Sequence, residues 1–190
     1  MTPVNYITTY TGISFDPTDP APEDISIRDI AHALSMMCRA NGHYRLFYSV
    51  AQHCVCCAEE AALRGYPADI QLYALLHDAS EAYLSDITRP LKLRLENYRG
   101  YEQQMMSAIY DAVGIAAPDK AAERLVKDLD NAALSAEFLK YNGDRILPGA
   151  SVLHTALPDN EIPHAAAEQR YLELFQSLTA GLSLGQQAGL

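Results

Sequence analysis

From Ser26 onward the apolar residues recur every three or four positions, the period of a helix that buries one stripe. A half-buried strand would alternate instead, so the chain after this point is read as helical throughout. Ile27, Ile30, Ala31, Leu34, Met37 and Cys38 make the first stripe. Ser26 with Asp29 three residues on resembles a capping box, and Gly42 is expected to stop that helix. A second helix should open near Ser49, with Gln52 at the box position, and end at Gly65. Pro67 suits the first turn of a third. Its apolar face runs Ile70, Tyr73, Ala74 and Leu76, and it closes in the polar cluster His77-Asp78-Ala79-Ser80-Glu81. A loop with Asp86, Thr88, Arg89 and Pro90 follows. The fourth helix spans Tyr98 to Val113, and the fifth runs from Pro118 to about Tyr141, with Leu125, Leu129, Ala132, Ala133 and Ala136 facing inward. Gly143, Pro148, Gly149 and Pro158 mark residues 142–163 as a long loop before a last helix from His164 to Leu178.

Ahead of these helices, Tyr6 to Tyr10 alternate weakly, turn at Gly12 and continue through Ile13-Ser14-Phe15 into a proline-rich strap. No repeat or linker divides the rest. The expected fold is all-α: a hairpin or strap over 1–24, one bundle of about six helices over 25–180, and a flexible tail over 181–190.

The sequence has 190 residues, 49% of them hydrophobic and 20% charged, enough to build a core. Against 24 Asp and Glu stand 14 Lys and Arg, a formal charge of −10. This argues against a nucleic-acid polymer or an anionic membrane as partner, since both need a basic surface. No apolar run approaches the ~20 residues of a membrane span. The N-terminus lacks a secretory pattern, so a cytoplasmic location is expected. Cys38, Cys54, Cys56 and Cys57 fall too close together to staple distant segments and lack the Cys-x-x-Cys spacing of zinc knuckles. They are read as buried reduced thiols.

His53, the pair His77-Asp78 and Asp130 carry the chemical information. Each lies in or at the end of an apolar helix, where an unpaired polar group costs several kcal/mol, roughly 2–7 for a neutral one. Imidazoles and carboxylates together suit a divalent Zn, Co, Mn, Fe or Ni ion better than Ca. Hydrogen-bonded core histidines are the alternative on spacing alone, and for His32, His43, His154 and His164 taken singly that alternative, or exposure, is preferred.

His53, His77-Asp78 and Asp130 resemble the H...HD...D signature of the HD superfamily of metal-dependent phosphohydrolases. The run from His77 to Lys92 is similar to the HDxSE...D...P(V/L)K block of small bacterial HD-type 5'-deoxyribonucleotidases and of phage-encoded deoxynucleoside triphosphate triphosphohydrolases. Arg39-x-x-Gly42-His43, Tyr48 to His53 and Lys127-x-x-Asp130 extend the likeness over residues 25 to about 140.

The resemblance implies one divalent transition metal held by His53, His77, Asp78 and Asp130, with additional Mg where the substrate is a triphosphate. It implies Glu81 as general acid/base and Asp86 as the residue that orients water or recognises the sugar. Arg39, His43, Lys92 and Lys127 are the implied substrate-binding residues, with Tyr44 and Tyr48 beside His43 as candidates to stack on a base. The nucleotidases carry Arg-Trp where this chain has Arg39-Ala40, which leaves base and sugar selection open. The implied activity is hydrolysis of the 5'-phosphoester of (deoxy)nucleotides, foremost deoxynucleoside monophosphates. Alternatives are triphosphate release from a dNTP, for which Arg89 and Arg94 are weighed as extra cations, and a regulatory metal-binding domain without turnover. The implied partner is a small nucleotide. A homo-oligomer is expected from the family, and Tyr101, Met105, Met106 and Ile109 are read as either interface or core.

Overall fold

The structure is a computed structural model that describes residues 5–187, and side chains for residues 5–180. Two short strands, β1 (Ile7–Thr8) and β2 (Ser14–Phe15), pair antiparallel with Ile7 opposite Phe15. The turn between them uses Gly12 at φ +89°, where a side chain would be strained. Helices then follow as α1 (Ile27–Met36), α2 (Val50–Leu63), α3 (Ala68–Leu76), α4 (Glu81–Leu84), α5 (Arg89–Lys92), α6 (Tyr98–Val113), α7 (Lys120–Tyr141) and α8 (His164–Gln187). Six of them have nine residues or more and form the expected all-α bundle. The four-residue α4 and α5 lie where the sequence suggested a loop. Among the described residues, no helix is long and apolar enough to cross a membrane.

The hairpin is tied to the bundle by an interaction that spacing misassigns. Asp29 does not close a capping box with Ser26, whose side chain caps nothing. Its carboxylate instead accepts from the backbone N–H and the hydroxyl of Thr11, at 2.7 and 2.8 Å. Phe15, fully buried, stacks on Tyr83 with ring centroids 4.3 Å apart. Helix α1 also stops earlier than Gly42 suggests. Met37 is its C-cap, and a 3-10 turn over Arg39–Gly42 intervenes before α2.

Helix α2 is the central element, packed against α1, α3, α7 and α8. Its start is the capping box expected from sequence, with Ser49 and Gln52 exchanging bonds to each other's backbone. Nearly every residue from Val50 to Ala61 is buried, so the polar ones among them must find internal partners. Helix α8 crosses the α2–α3 pair, and the buried Tyr171 hydroxyl donates to the Leu75 carbonyl at 3.0 Å. The long segment over 142–163 is irregular, as expected, and is pinned by Glu60. That buried carboxylate accepts from the His154 and Thr155 backbone N–H groups and from Arg64. Burial raises its pKa, but the His154 and Arg64 hydrogen bonds outweigh this and bring it down to about 2.

Met105 and Ile109 are core, Met106 faces a cavity and Tyr101 is exposed. Three cysteines are buried, but Cys38 is exposed, because the 3-10 turn carries the chain away from the α1 stripe. All four are free thiols. Helix α8 continues beyond Leu178 to Gln187, and residues 188–190 of the expected tail, like residues 1–4 of the expected hairpin segment, lie outside the described residues.

Candidate functional site

Three helices deliver the four residues singled out by the sequence to one place. His53 comes from the first turn of α2, His77 is the C-cap of α3 with Asp78 next to it, and Asp130 lies midway along α7. The His53 Nε2 is 3.3 Å from Asp130 Oδ1 and 3.9 Å from Asp78 Oδ2. The His77 Nε2 is 3.4 Å from Asp78 Oδ2 and 4.0 Å from Asp130 Oδ1. Donors bound to one ion at about 2.0–2.2 Å stand roughly 3–4 Å from one another.

The second nitrogen of each ring fixes which lone pair faces this point. Nδ1 of His77 is 2.7 Å from the Ala74 carbonyl, one turn back on α3, so it carries the proton. Among the described residues, Nε2 of His77 is left buried without a hydrogen-bond partner, an acceptor aimed at the other three side chains. Nδ1 of His53 is 2.6 Å from Glu137 Oε1, and its Nε2 likewise points to the cluster. Such outer partners orient metal-ligating imidazoles and raise their basicity. The buried His, Cys and Asp side chains here can hold a metal ion. His53, Cys57 and His77 bring ligand atoms within 4.8 Å of one another, as do Cys54, His77 and Asp78.

Protonation separates the carboxylates from the thiols. Burial raises the thiol pKa of Cys54 and Cys57 above the usual value. Burial also opposes ionisation of the two aspartates, yet in both it is outweighed. For Asp78 the neighbouring His77, Arg39 and His53 prevail, and for Asp130 His53, His77 and Lys127 do. Both stay anionic, as ligands of a divalent ion must be.

Glu137 was not read from the sequence. It lies two turns after Asp130 on the same face of α7, and that seven-residue spacing was the available signal. Beyond His53, it accepts from the Tyr44 hydroxyl at 3.2 Å and lies 3.8 Å from Arg39 Nε. Glu137→Ala should leave the His53 Nδ1–H without an acceptor and weaken metal affinity by roughly 10–100-fold. Glu137→Gln keeps a carbonyl acceptor there and should recover most of that loss. Competition titration against a chromophoric chelator reads both variants, and equal affinity of Glu137→Ala and the native chain would remove Glu137 from the site.

Beside the cluster opens a cavity of about 910 Å³ between α6, α7 and the α4–α5 segment. Asp78, Glu81, Asp86, Lys92, Lys127 and Asp130 all line it, as does Arg39. Glu81 opens α4 and is buried. Burial, then the nearby charges of Asp78 and Asp86, push its pKa up to about 9, with Lys92 opposing. Lys92, on α5, donates to Glu81 at 3.0 Å and to Glu102 at 2.9 Å. Glu102 is a second residue the sequence reading missed. Burial also raises Asp86, and it does not cap α5, whose N-terminus has no side-chain cap. Lys127 donates to Asp130 Oδ2 at 2.6 Å, three residues along the same helix.

Arg39 is placed differently from a residue free to reach substrate. It is 8% exposed and donates to Asp78 Oδ2 at 3.3 Å and towards His53 Nε2 at 3.2 Å. The turn that holds it carries Ala40 and Asn41 in left-handed conformations, each costing about 1–2 kcal/mol for a residue with a side chain. The same turn corrects the expectation for His43, which is exposed and does not line the cavity. Tyr44 and Tyr48 are no base platform either. They are buried against Tyr141 and Phe138 in a small second core, and of these four rings Phe138 is the one that lines the cavity. Arg94 is exposed away from the cavity, whereas Arg89 lines it and reaches Asp130 and Asn131.

No protein-family model matches the chain. It is 39% identical over 112 residues to the uncharacterized protein YfdR of Escherichia coli, an alignment covering 59% of this chain and 60% of YfdR, less than two thirds of that relative's length. It is 36% identical over 148 residues to the uncharacterized protein RCAP_rcc00048 of Rhodobacter capsulatus, covering 71% of this chain and 75% of that protein. The chain belongs to the family of the Rhodobacter capsulatus protein.

Proposed function

We propose that the chain is an HD-type metal-dependent phosphohydrolase that cleaves the 5'-phosphoester of nucleotides, with deoxynucleoside 5'-monophosphates as its main substrates. One observation carries the reading: His53, His77, Asp78 and Asp130 converge beside a cavity whose wall holds Glu81, a buried carboxyl whose pKa is pushed up. His53, His77, Asp78 and Asp130 would hold one Zn, Co, Mn, Fe or Ni ion. Such an ion supplies Lewis acidity towards the attacking water and the phosphorus centre.

The chain's own residues account for the remainder. Water adds to phosphorus, the bond from phosphorus to O5' breaks, and Glu81 gives its proton to the departing oxygen, so the products are nucleoside and inorganic phosphate. Asp86, at the cavity wall, would orient the water. Lys92 holds Glu81 and, with Lys127, offers positive charge to the phosphoryl oxygens.

Charge balance favours a monophosphate. Five of the chain's fourteen Lys and Arg line the cavity: Arg39, Arg89, Lys92, Arg99 and Lys127. Six carboxyl groups face them: Asp78, Glu81, Asp86, Glu102, Glu123 and Asp130. With Glu81 protonated the walls are neutral, and a divalent ion then matches the nearly two negative charges of a phosphomonoester. A triphosphate, the second reading, would need additional Mg. A cytoplasmic location and a homo-oligomer belong to the same proposal.

The test is a panel of dNMPs and dNTPs incubated with protein loaded with Co, Mn, Zn or Mg, with products resolved as phosphate or triphosphate. Phosphate from dNMPs is expected. Triphosphate from dNTPs selects the second reading, and no release from any nucleotide by metal-loaded protein overturns both.

A further inference from the structure

We infer that Arg89 is the residue that recognises the substrate phosphate, an assignment that rests on the phosphohydrolase reading above. Each of the cavity's other cations near the cluster holds a protein group closely and offers a phosphoryl group charge more than geometry. Arg39 is buried against Asp78, His53 and Glu137, and Lys92 is shared by Glu81 and Glu102. Lys127 closes on Asp130 Oδ2 at 2.6 Å. Arg89 reaches that same oxygen only at 3.4 Å, and uses the same Nη2 for Asn131 Oδ1 at 3.2 Å.

Two consequences follow from those distances. A single Asp130 oxygen is shared by two cations, so it does not fully neutralise either of them. And of the five N–H donors of a guanidinium, those on Nη1 and Nε of Arg89 have no hydrogen bond among the described residues. The side chain is 47% exposed and lines the cavity. Helix α5 sets the direction. Arg89 and Lys92 are one turn apart on it, and Arg89 reaches towards Asp130 while Lys92 reaches Glu81. A phosphoryl group between Glu81 and Asp130 meets the unpaired donors of Arg89, and taking Nη2 over from Asn131 completes a planar fork that matches two phosphate oxygens at once. Lysine cannot reproduce that contact.

The test is calorimetric titration of inorganic phosphate into Co-loaded native chain, Arg89→Ala and Arg89→Lys, with metal content and thermal midpoint measured on each. Arg89→Ala should weaken phosphate binding roughly 10–100-fold, the range for hydrogen bonds to charged groups. Metal content and midpoint should stay unchanged, since Lys127 keeps Asp130 paired. Arg89→Lys should recover only part of the affinity. Native-like phosphate affinity in Arg89→Ala, or no phosphate binding by the native chain, overturns the assignment. Arg89-dependent phosphate binding by a chain that hydrolyses no nucleotide would sustain the assignment and sink the reading on which it rests.

Discussion

Asp78→Ala is expected to remove bound metal and phosphate release together, with turnover falling by about three orders of magnitude or more, as expected when Lewis-acid and nucleophile-generating chemistry is lost at once. Asp78 Oδ2 lies within 3.4 Å of His77 Nε2 and 3.9 Å of His53 Nε2, so alanine takes away one of the two anionic charges at the point where both rings converge. The loss also unpairs Arg39 from one of its carboxylates. Glu137 still faces that guanidinium, which should spare the fold. Metal content by elemental analysis, turnover and thermal midpoint together separate the cases. Asp78→Ala protein that keeps one metal per chain would move the centre to His53, Cys57 and His77, the other cluster within coordination reach. Cys57→Ala is the converse control and should retain metal, because burial keeps that thiol protonated.

The four clustered residues were legible from sequence because each violates the helical apolar pattern at a position the pattern itself fixes. His53 falls four residues after the Ser49 cap, and His77-Asp78 terminates the α3 stripe. Where a residue's role depends on a partner distant in the chain, spacing misled. Asp29 looks like a cap residue and instead holds Thr11, eighteen residues back across the proline-rich strap. Glu60 reads as the polar face of an amphipathic helix. It is fully buried because the irregular segment around His154 folds over it with four hydrogen bonds. His43 shows the limit of motif matching. Its place in the matched segment suggested substrate contact, but two consecutive left-handed residues before Gly42 turn it outward. Arg89 and Arg94 were weighed together as extra cations for a triphosphate, and it is a short helix inside the predicted loop that brings Arg89 alone to Asp130.

Glu81→Gln should keep the metal and lose turnover by roughly 10²–10⁴-fold, the usual contribution of a positioned proton donor. The amide keeps an oxygen for Lys92 and puts its nitrogen where Glu81 Oε2, buried, has no partner among the described residues. The same variant should change how stability depends on pH, in a direction that tests the protonation directly. Burial beside Asp78 and Asp86 raises this carboxyl from 4.5 to about 9, so between those values the folded chain binds a proton that the unfolded chain has released. Stability therefore falls as pH rises through that window, and the full cost is present above pH 9. Glutamine does not ionise and contributes no such slope. The thermal midpoint of Glu81→Gln relative to the native chain should rise steadily from pH 5 to pH 9, measured without added metal. A difference that stays constant over that range would mean that Glu81 is ionised in the folded chain and cannot be the proton donor. Turnover would then have to draw its proton from elsewhere, and Asp86, also raised by burial on the same wall, is the group placed to give it.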